Sequence, residues 1–252
     1  MVELQKIVSF LDKEFRVAEI PDSSHNGLQV ANAGRVAKAC CAVDASLEAF
    51  QAAKRAGGNL VICHHGISWE DSLSRITEVN YKRVAFLIRN DMALYALHLP
   101  LDLHPEHGNN IRICRALRLT RIRRFGMYRG MEIGFQGRLP RPVRFETFKR
   151  RIAVAAGREV MALEFGKKTV TSVAVVSGAA PEGIEEAARG GIDVYVTGEP
   201  RLTAYHAARE YGIHAVFAGH YATETFGVRA VADLLTRRFR MPTEFLDLKT
   251  PL

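Results

Sequence analysis

Long apolar runs are missing from this 252-residue chain. No stretch approaches the roughly 18–20 uninterrupted apolar residues of a membrane-spanning helix, so no membrane partner is expected. Cysteine is scarce as well. Cys40, Cys41, Cys63 and Cys114 do not make a disulfide framework in a chain of this length, and no Cys-x-x-Cys pair is present. Cys40, Cys41 and Cys63 lie in apolar runs and are expected as small buried hydrophobes. The start, Met1-Val2-Glu3-Leu4-Gln5-Lys6, reads as an amphipathic helix. It lacks the basic and apolar regions of a secretory signal, and a reducing cytoplasm is the expected location. A Walker-type phosphate loop is also missing.

Apolar residues make up 48% of the chain, enough for a core without covalent staples. The formal charge is +8, and much of the excess is local. Arg112, Arg115, Arg118, Arg121, Arg123 and Arg124 form one cluster. Arg138, Arg141, Arg144, Lys149, Arg150 and Arg151 form a second, and Arg237, Arg238 and Arg240 a third. Such clusters are either solvated, ion-paired surface or attractors of phosphate-bearing partners. No nucleic-acid-reading motif accompanies them.

The chain repeats itself. Residues 36–66 align without gaps over residues 170–200, so that Glu48 meets Glu182, Arg55 meets Arg189 and Gly57 meets Gly191. Each copy reads as a continuous apolar strand, a helix, a glycine near the helix end and a second apolar strand. Pro181 suits the first turn of the second copy's helix. Strands apolar on both faces imply a buried, largely parallel sheet. Further on, Leu94-Tyr95-Ala96-Leu97-His98 resembles Val216-Phe217-Ala218-Gly219-His220, and each histidine is followed four residues later by an acid, Asp102 or Glu224. The reading is an α/β protein of two similar domains from an internal duplication, each with a mixed, largely parallel sheet flanked by helices. The first domain is expected at residues 1–125 and the second at 126–252, with a linker near Arg121–Tyr128. Packing of the stretch from about residue 212 with the first domain is left open.

Five residues suggest metal chemistry. His64 and His65 follow the strand Leu60-Val61-Ile62-Cys63, where binding groups of open α/β sheets gather. Neighbouring residues of an extended segment point to opposite sides, which suits two metals better than one. Asp102 follows the apolar strand Met92–Leu97, and Pro100 argues for a loop there. His220 and Glu224 share one face at the first turn of a helix expected to run to about Arg238. A carboxylate such as Glu224 is able to bridge two cations, and a cation pair activates water. The mixed nitrogen and oxygen set suits Zn, Fe, Mn, Co or Ni without choosing among them. In the aligned repeat His64 and His65 meet Gly198 and Glu199, which favours one shared site between the domains over two equal ones. His98 is unpaired and is kept as a metal-supporting or substrate-contacting group, with a general acid/base role if it reaches the substrate.

The motifs Asn26-Gly27-Leu28-Gln29-Val30, Ile62-Cys63-His64-His65-Gly66, His98-Leu99-Pro100-Leu101-Asp102, Asp193–Glu199 and Ala218–Glu224 occur in a fixed order over nearly the whole chain. In these the sequence resembles the Nif-three-like family (NGG-interacting factor 3-like, YbgI-type), also labelled GTP cyclohydrolase 1 type 2 homologues. The resemblance implies a dinuclear centre with His65 and Asp102 on one metal, His64 and His220 on the other, and Glu224 bridging. It also implies a toroidal homohexamer with the metals facing an inner cavity. The chain departs from the family at His25, where relatives usually carry Asp. His206, where relatives often carry His, either lines that cavity or packs.

Two functions follow. The first is a metal-dependent hydrolase resembling GTP cyclohydrolase 1 type 2, opening the guanine ring of GTP, with basic residues near Arg121–Arg124 holding a nucleotide or other phosphate-bearing small molecule. The second is a non-catalytic, metal-binding protein of regulatory type that holds nucleic acid or another protein. The carboxylate-rich ligand set favours the enzyme, because structural zinc sites are usually closed by four Cys or His ligands.

Overall fold

The computed structural model describes residues 1–251 and divides the chain into two compact units. The first comprises Met1–His104 and Gly227–Leu248; the second comprises Pro105–Phe226 and the last few residues. The boundary expected at 125/126 therefore lies about twenty residues too late, and the C-terminal segment of the first unit begins at Gly227 rather than near 212. The segment read as a linker is a strand, as shown below.

In the first unit the chain runs β1 (Val2–Glu3), α1 (Leu4–Glu14), β2 (Gly27–Val30), β3 (Arg35–Val36), β4 (Ala39–Asp44), α2 (Leu47–Arg55), β5 (Leu60–His65), α3 (Glu78–Arg89), β6 (Ala93–Ala96) and α4 (Leu99–Asp102). Helix α1 buries Leu4, Ile7, Val8 and Leu11, the stripe that helical periodicity requires. Helix α2 starts where the Ser46 hydroxyl accepts from the Ala49 amide at 3.1 Å, satisfying one donor the helix cannot. Acidic Glu48 opens it, and Lys54 and Arg55 close it, which complements the helix dipole. Strands β4, β5 and β6 are parallel neighbours, and β2 joins β6 antiparallel. Cys40, Ala42, Val61, Cys63 and Leu94 of these strands bury against Phe50 and Leu87 of the helices.

The second unit runs α5 (Asn109–Ala116), β7 (Thr120–Tyr128), β8 (Met131–Arg144), α6 (Phe145–Ala156), β9 (Met161–Glu164), β10 (Thr169–Val175), α7 (Gly183–Arg189), β11 (Val194–Thr197), α8 (Leu202–Tyr211) and β12 (His214–Phe217). Its sheet has the order β7-β8-β10-β11-β12-β9, with β10, β11 and β12 parallel. Val173 and Val175 of β10 face one core cluster and Ala174 faces another, so both faces of the strand are covered. That explains its continuous apolar reading. Strand β7 occupies the expected linker. It escaped a periodicity reading because its register with β8 shifts between Thr120 and Arg123, which breaks the alternation, and because it carries arginines at an edge.

Helix α9 (His220–Phe239) and strand β13 (Thr243–Phe245) complete the chain. Residues 220–226 of α9 belong to the second unit and the rest to the first. Strand β13 pairs parallel with β4 and gives the first unit the order β13-β4-β5-β6-β2. Each unit thus holds the β-α-β-α-β order expected from the repeat, as β4-α2-β5-α3-β6 and β10-α7-β11-α8-β12. No helix among the described residues is long and apolar enough to cross a membrane. All four cysteines are buried and unbridged. Burial pushes the Cys40 thiol up to about 11 and the Cys114 thiol up to about 12.

Candidate metal centre

In the first unit four predicted site residues converge at the carboxyl ends of β5 and β6. His64 and His65 are the last two residues of β5. His64 is fully buried, and its Nδ1 lies 2.8 Å from the Leu97 carbonyl. A carbonyl only accepts, so Nδ1 carries the proton and Nε2 carries the lone pair. The Nε2 lies 3.5 Å from Asp102 Oδ2. His65 Nδ1 contacts Asp44 Oδ1 at 2.8 Å. Alternation along a strand was expected to send the two rings to opposite sides. Their centroids are instead 4.7 Å apart, because alternation fixes the Cβ directions and leaves ring placement to the side-chain torsions.

His98 joins them. One ring nitrogen each of His64, His65 and His98 falls within 4.8 Å of the others, a grouping able to hold a metal ion. Its Nδ1 lies 2.9 Å from Asp22 Oδ1. Asp22 Oδ2 also accepts from the Leu99 amide at 3.0 Å and from Asn26 Nδ2 at 2.8 Å. Burial works to raise the Asp22 carboxyl, but these donors and the His98 ring hold it down at about 2. Asp22 is therefore an anion that orients His98. Asp102 ends α4, a single helical turn where a loop was expected. Pro100 permits it because a first turn needs no amide donor at that position. The Trp69 ring stands edge-on to His98 at 4.8 Å.

In the second unit His220 and Glu224 share the first turn of α9, with His220 Nε2 3.0 Å from Glu224 Oε1. His220 Nδ1 lies 2.5 Å from Glu199 Oε1. Burial disfavours the imidazolium, yet hydrogen bonding and charge from Glu224 and then Glu199 raise His220 to about 9. Carboxylates that favour a proton on this ring also favour a metal cation beside it. Gly178, at φ +67°, borders the pair: a Cβ there would stand 2.6 Å from Glu224 Oε1 and 3.3 Å from His220 Nε2. The backbone thus leaves open the space a ligated ion needs.

The residues present fit a metal ion on these grounds. Each of the four histidines commits Nδ1 to an acceptor, Leu97 O, Asp44, Asp22 or Glu199, which leaves Nε2 as the nitrogen able to ligate an ion. Metal-ligating histidines carry this same second hydrogen bond, which fixes tautomer and orientation. Sequence reading did not assign these roles to Asp22, Asp44 or Glu199. Glu199 had a signal, since it aligns with His65 in the repeat. His25, the departure from the family pattern, bonds the Ser68 hydroxyl at 2.6 Å. His206 is exposed on α8 and meets the Tyr205 ring edge-on.

Residues 2–251 match the family described as Duf34/NIF3 (NGG1p interacting factor 3). A protein of Deinococcus radiodurans named GTP cyclohydrolase 1 type 2 homolog is 41% identical over 247 residues, covering 98% of this chain and 94% of its own length. A protein of the same name from Archaeoglobus fulgidus is 38% identical over 251 residues, covering 100% of both. Among solved structures, the protein ybgI superposes with a TM-score of 0.93 at 32% identity, covering 100% of both chains. A Thermus thermophilus protein superposes at 0.89 with 34% identity, also covering 100% of both.

Proposed function

Since the chain belongs to the Duf34/NIF3 (NGG1p interacting factor 3) family, we propose that it is a dinuclear metal-dependent hydrolase acting on a purine nucleotide, GTP being the first candidate. His64, His65, Asp102, His220 and Glu224 would hold two divalent cations. The carrying observation is that His64, His65 and His220 each spend Nδ1 on an acceptor and keep Nε2 as the donor atom. Bound there, the cations would supply Lewis acidity to water and substrate.

The chain's own residues do the rest. Asp22, held ionised, keeps the proton of His98 on Nδ1, so His98 Nε2 is the atom that takes or gives a proton during ring opening. Trp69 packs edge-on against the His98 ring and helps hold its orientation. The names of the curated relatives support GTP as the substrate to try first. A homohexamer belongs to the same proposal and is checked by light scattering.

The test is to load the protein in turn with Zn, Fe, Mn and Co, measure bound metal, and incubate each form with GTP. The expected result is about two metal ions per chain and a fluorescent pterin product. Full metal occupancy with no product from GTP or from other nucleotides and phosphoesters would overturn the hydrolase reading and leave a non-catalytic metal protein.

A further inference from the structure

The basic segment of the second unit is not absorbed by the metal centre. Residues 112–151 carry thirteen Lys or Arg against two acidic residues, Glu132 and Glu146. Part of this charge lines a groove of about 870 Å³ between the C-terminal end of α5 and the outer face of α6. Helix α6 is two-faced. Phe145, Phe148 and Ile152 bury inward. Thr147, Arg150, Arg151 and Val154, at the i, i+3, i+4 and i+7 spacing of one helical face, line the groove instead. Val154 is 82% exposed, a large apolar side chain in water. Across from it stand Leu117, Arg118, Pro140 and Arg141. Arg118, Arg141 and Arg151 enter no ion pair among the described residues, whereas neighbouring Lys149 pairs with both Glu146 and Glu164.

We propose that this groove is a docking site for an acidic amphipathic helix of a partner protein. Two features select that occupant. The aliphatic lining of Leu117, Pro140 and Val154 rewards burial of apolar side chains, which a phosphodiester backbone does not offer. The guanidinium rim rewards carboxylates on either side of that apolar stripe, bound in pairs by the planar fork. No aromatic side chain lines the groove, so it lacks the stacking platform that single-stranded nucleic acid uses. The face from Thr147 to Val154 is about 10 Å long, which matches about two turns of a guest helix laid in a groove. The site lies wholly within residues 116–155 and is independent of the hydrolase reading.

The experiment uses the full chain and a fluorescein-labelled peptide of about 18 residues, with Leu at i, i+3, i+4 and i+7 and Glu at the flanking positions. Fluorescence anisotropy should show saturable binding. The double variant Arg118→Glu/Arg151→Glu and the single variant Val154→Ser should each weaken it about tenfold or more, with unchanged thermal melting because all three side chains are exposed. A control peptide with every Leu replaced by Ser should bind at least about tenfold more weakly. Absence of binding overturns the proposal. So does equal binding of the serine peptide or of an oligothymidylate, since either makes the groove a mere polyanion surface. Loss of self-assembly in Val154→Ser, read by light scattering, also overturns it by assigning the groove to a second copy of this chain.

Discussion

Asp44 and His65 meet twice. They are register partners at the carboxyl ends of parallel strands β4 and β5, and the Asp44 carboxylate also takes the His65 Nδ1 hydrogen bond at 2.8 Å. The sheet that stabilises the unit therefore also aims a candidate ligand.

Replacing Asp44 by Ala should free the His65 ring to turn and change tautomer. Metal affinity is expected to fall about 10–100-fold, the usual cost of losing such a partner. Competition with a chelator measures it. The Asp44 side chain is 48% exposed, so melting of the metal-free protein should change little.

His98→Gln separates two roles. If His98 moves a proton, turnover of the metal-loaded protein should drop about 10²–10⁴-fold while bound metal stays constant. Loss of metal in this variant would make His98 a ligand, as its grouping with His64 and His65 allows.

Gly178→Ala places a Cβ against both His220 and Glu224 at a positive φ. The strain should cost about 1 kcal/mol or more of stability. The larger expected effect is on metal content, which elemental analysis should find reduced in proportion to the ions that pair holds.

Asp193 anchors the second sheet. Its Oδ2 accepts from the amides and hydroxyls of both Thr171 and Ser172 at 2.8–3.0 Å. Burial opposes the charge, but these bonds hold the carboxyl below its ordinary 3.8. A depressed carboxyl contributes stability that is present above its unfolded value and is lost as pH falls through the folded one. Asp193→Ala should therefore cost about 1–3 kcal/mol at pH 7, and urea titrations should find the difference shrinking below pH 3.8.

The buried thiols give a simple check. Cys40 and Cys114, raised to about 11 and about 12, carry almost no thiolate at neutral pH. Native protein should react slowly with a thiol-specific disulfide reagent, and denatured protein should release all four thiols.

Sequence alone determined the buried strands of the repeat and named the candidate ligands. Apolar runs such as Ala39–Val43 and Ala215–Phe217 are buried strands because only a doubly covered strand tolerates them, and the His-x-x-x-acid spacing put His220 and Glu224 on one helical turn. Those features depend on near neighbours along the chain. Tertiary structure decided what depends on distant ones. Asp22 reaches His98 across 76 residues, and Asp44 and Glu199 each reach their histidine across 21. No local period encodes such pairs, since strand order and register set them. The unit boundary at 104/105 and strand β7 were hidden for a related reason. A bulged, arginine-rich edge strand draws its strand character from pairing with β8, which the local pattern of its own residues does not reveal.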